Sequence, residues 1–173
     1  MGLVIVMLFY TPAKVWMLQR IMDTGLFNAS TTDKIRKAGP MTFKNAEGEL
    51  ISTERLHGKV VFINFSATWC PPCLAEMPSI QNLYTHYKND NRIIFIMADA
   101  DNKLAESTSF LRKRSIDLPV YTIYGTIDPA LYQGTLPTTL IVNKEGKVIL
   151  HHTGIGRYDT RSIYELLDRE LKD

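Results

Sequence analysis

The sequence predicts an α/β domain: a three-layer sandwich with a mixed central sheet and an N-terminal hairpin. Three observations carry this expectation. Residues 59–65 (KVVFINF) and 92–98 (RIIFIMA) are short apolar, β-branched runs of the kind buried on both faces of a sheet. Between them Ala75, Met77, Ile80, Leu83, Tyr84 and Tyr87 recur at helical spacing. Further on, two strand-like segments flank Lys144-Glu145-Gly146, a tight hairpin signal, and an amphipathic helix follows.

The elements follow in order. Residues 41–52 form a hairpin turning at Glu47-Gly48, with Phe43 and Leu50/Ile51 on its arms. Residues 59–65 make the central strand, and a helix runs over 71–88. Residues 92–98 are the second buried strand. A helix over 104–115 turns Leu104, Ser107/Thr108 and Leu111 inward. Residues 118–124 form a third strand and 129–133 a short helical turn. Strands at 138–143 and 147–152 form the closing hairpin. The last helix, over 159–171, presents Ile163, Leu166, Leu167 and Leu171 to the core. Right-handed crossovers make the first strands parallel, and the terminal hairpin is antiparallel.

Upstream, residues 2–10 (GLVIVMLFY) are continuously apolar and end at Thr11-Pro12. The run is shorter than the ~20 residues a helix needs to span a bilayer, and it lacks a basic flank and a cleavage site. It reads as a buried strand, as the remnant of a membrane anchor, or as part of an amphipathic membrane-surface segment continuing to Met22. The anchor remnant is the favoured expectation, over residues 1–27. Residues 28–39 are polar and aperiodic and read as a linker, which leaves residues 40–173 as the globular domain.

Composition narrows the function. In 173 residues, 45% are apolar and 22% charged, with a formal charge of +2. Such a balance suits one folded domain and argues against wholesale disorder. No basic cluster with interleaved aromatics points to nucleic acid. The chemistry concentrates in two cysteines, Cys70 and Cys73, separated by Pro71-Pro72.

A cysteine pair at this spacing has three possible uses. As a cross-link it closes a four-residue loop and contributes roughly 2 kcal/mol, little for a domain of this size. As a zinc site it lacks a second pair, and the histidines have no finger-like spacing. Redox exchange fits the context, a buried strand followed by the first turn of a helix. There the helix dipole and free N–H groups favour a thiolate, making Cys70 the nucleophile. Cys73, one turn further in, is placed to attack a mixed disulfide and release the product. Pro72 suits a helix first turn, whereas Pro71 removes one more N–H donor. Trp69 reads either as a cover for one side of the site or as a packing aromatic.

Strand, Trp-Cys-x-x-Cys, helix resembles the thioredoxin superfamily. The fuller pattern, Asn64-Phe65 and Ala67-Thr68-Trp69-Cys70-Pro71-Pro72-Cys73 followed by Glu76-Met77-Pro78, resembles its TlpA/ResA branch, related to the AhpC/TSA proteins. The resemblance runs from about residue 41 to the C-terminus. It implies a thioredoxin-like fold and thiol–disulfide exchange outside the cytoplasm, in the periplasm or cell envelope, by a protein anchored to the inner membrane. Leu136-Pro137-Thr138-Thr139 resembles the family's cis-proline loop, which lies against the redox pair and can hold an extended substrate segment; the alternative is a trans proline opening a strand. Trp69, Pro71, Pro72, Leu136 and Pro137 are therefore the expected substrate contacts. Pro78 resembles the proline that kinks the active-site helix and releases the Leu74 carbonyl.

Glu76 lies three residues beyond Cys73, so a helix puts both on one face. In thioredoxin a buried Asp manages the second cysteine's proton; Asn64, which cannot titrate, stands at that place here. The resemblance gives the role to Glu76, with partial burial raising its pKa. The alternative is a surface glutamate favouring the helix's first turns. Residues 99–132 resemble the branch's αβ insertion.

The expected activity is reduction of disulfides in exported cysteine-containing proteins, apocytochrome c among the plausible substrates. An upstream thiol donor, membrane-bound in one version, re-reduces the pair. The residues suggest no flavin, nicotinamide or metal, only the Cys70–Cys73 disulfide as redox group. Competing readings are a dithiol oxidant, a thiol peroxidase and a non-catalytic binding module. The peroxidase is disfavoured because Ala67 occupies the place of that group's threonine.

Overall fold

The computed structural model describes residues 11–22 and 36–172. The apolar run of residues 2–10 and most of the stretch read as a linker lie outside them. In chain order the elements are α1 (Thr11–Met22), β1 (Arg36–Lys37), β2 (Thr42–Lys44), β3 (Leu50–Ser52), β4 (Val60–Ser66), α2 (Pro71–Tyr87), β5 (Ile93–Asp99), α3 (Leu104–Arg112), β6 (Val120–Tyr124), β7 (Thr138–Val142), β8 (Lys147–Thr153) and α4 (Arg161–Lys172). No described helix is long and apolar enough to cross a membrane.

The described strands form one sheet in the order β1-β8-β7-β4-β5-β6-β2-β3. β4, β5 and β6 run parallel, joined by α2 and α3, and β7 lies antiparallel on the other side of β4. The expected closing hairpin is β7–β8, and the N-terminal hairpin β2–β3 docks on β6 at the far edge. Because β4-α2-β5 and β5-α3-β6 progress in the same direction, right-handed crossovers place both helices on one face.

Alternation along β4 divides two cores. Val60 and Phe62 face the helices, where they join Met77, Ile80, Leu83 and Tyr87 of α2 and Ile163, Leu166, Leu167 and Leu171 of α4. Val61, Ile63 and Phe65 face the other way, onto Met41, Phe43, Leu131 and Leu140. That second layer is built largely of irregular chain. The helical turn expected at 129–133 is a turn closed by the Asp128 carbonyl, which accepts from the N–H groups of Leu131 and Tyr132 at 2.8 and 3.1 Å. Tyr132 stacks on Phe65 with ring centroids 4.1 Å apart. Side-chain packing thus holds this crossover without helical periodicity.

The sheet also begins earlier than residue 40. Arg36 and Lys37, inside the polar stretch, pair antiparallel with Val148 and Lys147, and the Ala38 N–H donates to Gly146 O at 2.8 Å. An edge strand needs only backbone hydrogen bonds, so polar composition concealed it. α1, which covers the stretch read as amphipathic, lies against α2, burying Met22 while Trp16 is 56% exposed.

Candidate active site

β4 ends beneath the N-terminus of α2, and the connection carries Ala67, Thr68, Trp69 and Cys70. Cys70 is the N-cap residue of α2 and is disulfide-bonded to Cys73. Its Sγ accepts from the Cys73 N–H at 3.3 Å. Pro71 and Pro72 occupy the first two helical positions and have no N–H, so the Cys73 amide is the first-turn donor that reaches this sulfur. Cys70 and Cys73 are both buried, packed with Ala67 and the half-buried Leu136. The Leu136–Pro137 peptide bond is cis. Gly154 N–H donates to Pro137 O at 2.9 Å, fixing the loop to the end of β8.

Trp69 sits apart from that cluster. It is 64% exposed, and its Nε1 donates to Asp101 Oδ2 at 2.5 Å, linking the site to the loop after β5. Asp99 organises that loop by accepting from the N–H groups of Asp101 and Lys103. The structure therefore brings Cys70, Cys73, Leu136 and Pro137 together, with Pro71 and Pro72 at the helix start and Trp69 at the rim.

Glu76 is wholly buried, not on the surface. Helical spacing turns it inward on the face that carries Cys73, against the end of β4. Oε1 accepts from Asn64 Nδ2 at 2.6 Å, and Oε2 accepts from the Gly156 N–H at 3.1 Å. Burial pushes its pKa from an ordinary 4.5 to about 8; the two donors act in the opposite direction and are outweighed. A carboxyl that titrates near neutrality can both accept and return a proton there.

Behind Glu76 runs a polar row that the sequence reading did not assign. Asn64 and Thr139 are direct partners across β4 and β7, and Asn64 Nδ2 donates to Thr139 Oγ1 at 2.9 Å. Tyr158 Oη donates to the same oxygen at 2.7 Å. Asn64 and Thr139 were legible as polar residues at inward positions of apolar strands. Tyr158 and Gly156 lie in a loop whose composition gives no such signal. Among the described residues no group of three or more His, Cys, Asp or Glu is placed to hold a metal ion.

A dithiol–disulfide at the head of a helix, following the central strand of a mixed sheet and faced by a proline loop, defines a thioredoxin-like thiol–disulfide exchange protein. The Redoxin family profile matches residues 33–167. The chain is 35% identical over 127 residues to the thiol-disulfide oxidoreductase ResA of a Bacillus cereus strain, covering 72% of this chain and 73% of that protein. The same identity and coverage hold for ResA of Bacillus anthracis. In structure it is similar to a DsbF homologue from Corynebacterium diphtheriae, with a TM-score of 0.62 at 16% identity over 83% of this chain and 95% of the other, a likeness of fold. The chain belongs to the Redoxin family, among its ResA-like thiol–disulfide oxidoreductases. Its activity is thiol–disulfide exchange through Cys70 and Cys73, and its substrate class is cysteine-containing protein.

Proposed function

We propose that the protein works as a reductant of disulfides in exported proteins, on the outer side of a membrane to which the segment of residues 1–27 attaches it. The observation that carries the exchange chemistry of this reading is the wholly buried Glu76 one helical turn from Cys73, with its pKa about 8, and the equilibrium with glutathione decides its direction. A base that must take a proton from a buried resolving thiol needs this placement and affinity.

In the reducing direction the Cys70 thiolate attacks one sulfur of the substrate disulfide, a mixed disulfide forms, and the other substrate sulfur leaves as thiolate. Glu76 takes the Cys73 proton, and the resulting thiolate attacks Cys70 Sγ. The intramolecular disulfide closes and the second substrate thiolate departs, so two electrons pass from the dithiol to the substrate. Leu136 and Pro137 line the approach to Cys70, where a substrate backbone can lie extended, with Pro71, Pro72 and Trp69 as further contacts. An upstream dithiol donor of the same exchange chemistry returns the electrons.

Equilibration with glutathione buffers tests the direction. A reductant has a potential more negative than about −230 mV, whereas a value near about −120 mV would make the pair an oxidant. Cys73→Ser tests the substrate class: stalled mixed disulfides on Cys70 are expected with exported cysteine proteins. Their absence, with Cys70 shown to remain reactive, would refute a protein disulfide as substrate.

A further inference from the structure

We propose that the exposed indole face of Trp69, with the Asp101 carboxylate at its edge, is a cation subsite that takes a Lys or Arg side chain lying beside the substrate's reactive cysteine. The inference deepens the proposed function and rests on the reading of Trp69 as a substrate contact in disulfide reduction.

Tryptophan is highly buried on average, yet Trp69 is 64% exposed while its neighbour Cys70 is buried. Its indole Nε1 donates to Asp101 Oδ2 at 2.5 Å. An indole N–H lies in the plane of its ring, so the carboxylate sits at the ring's edge and leaves the faces open. Those faces carry the negative part of the aromatic quadrupole, and tryptophan attracts a cation there more strongly than tyrosine or phenylalanine. A hydrogen bond to an anion polarises the ring in the same sense. Trp69 and Asp101 thus join an electron-rich surface to a full negative charge, one residue from Cys70.

The loop that carries Asp101 is fixed at successive positions. Asp99 accepts from the N–H groups of Asp101 at 3.3 Å and Lys103 at 2.6 Å. The Ala100 N–H donates to Ser66 O at 3.0 Å, tying the loop to the end of β4. Asn102 takes a left-handed φ of 56°, which asparagine tolerates, and its Oδ1 accepts from the Ile123 N–H of β6 at 2.9 Å. The carboxylate is therefore held in place before a substrate arrives, and so is the indole bonded to it.

Nothing nearby neutralises that carboxylate. Among the described residues no Lys, Arg or His forms an ion pair with Asp101. Lys103, in the same loop, has its Nζ 3.7 Å from Glu106 Oε2 of α3. Tyr132, stacked on Phe65, is close enough that burial and then the Asp101 charge raise its hydroxyl pKa. The neighbours of the carboxylate at the rim are thus aromatic. The whole chain carries a formal charge of +2, which gives cationic substrates no general attraction, so a preference for them has to arise locally. An apolar side chain could also lie on the indole, but it would gain nothing from the carboxylate.

The test uses the reduced full-length protein and three short peptides, each closed by one disulfide and alike except for Arg, Leu or Glu beside one cysteine. Second-order rates of peptide reduction are divided by the rates of the same peptides with dithiothreitol, which removes each residue's own effect on its disulfide. The normalised rate for the Arg peptide should exceed that for the Leu peptide by roughly three- to ten-fold, with the Glu peptide slowest. Asp101→Asn keeps an oxygen that can accept from the indole and removes the charge, so the Arg-to-Glu ratio should fall about three-fold or more. Trp69→Leu removes the aromatic face, and the Arg-to-Leu ratio should fall about two-fold or more. Both side chains are exposed and lie outside the core clusters, so neither change disturbs the packing. A Leu peptide reduced by the wild type as fast as the Arg peptide, or a ratio that its variant leaves unmoved, overturns the inference while the reductant reading stands. Reduction of none of the three peptides overturns that reading, and this inference with it.

Discussion

Glu76→Gln should make the protein more stable at alkaline pH while impairing exchange. The folded-state pKa of Glu76 is about 8 against an ordinary 4.5, so between those values the folded chain holds a proton that the unfolded chain has released. Stability from this group is therefore fully present below pH 4.5, falls as pH rises, and levels off above pH 8. The loss is RT ln[(1 + 10^(pH − 4.5))/(1 + 10^(pH − 8))], which is about 3 kcal/mol at pH 7 and approaches about 5 kcal/mol above pH 9. Glutamine keeps the shape and cannot ionise: its oxygen can accept from Gly156 N–H and its nitrogen can donate to Asn64 Oδ1 after an amide rotation. Urea unfolding of the oxidised protein at pH 4, 7 and 9 measures the effect. The pH 4 difference isolates any packing cost, and the growth of the gap by about 3 kcal/mol at pH 7, roughly 6–12 °C in Tm, isolates the titration. Parallel stability curves for the two proteins from pH 4 to 9 would refute the buried, elevated carboxyl.

Two further substitutions probe the frame around the site. Gly156→Ala should cost about 2 kcal/mol in urea unfolding, since the new Cβ would meet Tyr158 Oη at 2.7 Å, Tyr158 Cζ at 2.9 Å and His152 Cδ2 at 3.0 Å. A neutral result would mean that the loop has slack over Glu76. Ile80→Ala, at a fully buried position of α2, should cost about 3 kcal/mol and leave the Glu76 midpoint unmoved, because it touches the apolar core and not the polar row. Circular dichroism at fixed denaturant concentrations reads the first quantity and the carboxyl carbon-13 titration of Glu76 the second.

Much of this architecture was legible in the chain. β4 and β5 announced themselves as apolar β-branched runs, α2 by its helical period, and the redox pair by its place at the junction between them. What escaped depended on contacts remote in sequence. β1 forms from Arg36 and Lys37 because β8 has an open edge, a fact no local composition contains. The crossover containing Leu131 and Tyr132 keeps only the single turn closed on the Asp128 carbonyl, and packing on Phe65, which no local pattern shows, sets its place. Spacing puts Glu76 on the face of Cys73 and the resemblance gives it a role, but its complete burial depends on the approach of Gly156, 80 residues away. Tyr158 reaches Thr139 across 19 residues and Asn64 only through it, so neither periodicity nor motif could place it in the polar row.

The distribution of polar groups supports the proposed role of Glu76 in proton transfer. On the helix-facing side of the sheet, Val60 and Phe62 of β4 and Ile141 of β7 build an apolar core. The same strands then place Asn64 and Thr139 at positions where apolar side chains would pack without needing hydrogen bonds, and Tyr158 adds a buried hydroxyl. Every one of these groups connects to a single carboxyl whose burial lowers stability by about 3 kcal/mol at pH 7, a large share of the roughly 5–15 kcal/mol that holds a domain folded. Four buried polar side chains, one oxygen of which is left unpaired, make poor scaffolding. In the proposed role of Glu76, holding one proton a helical turn from Cys73, each of them has a use.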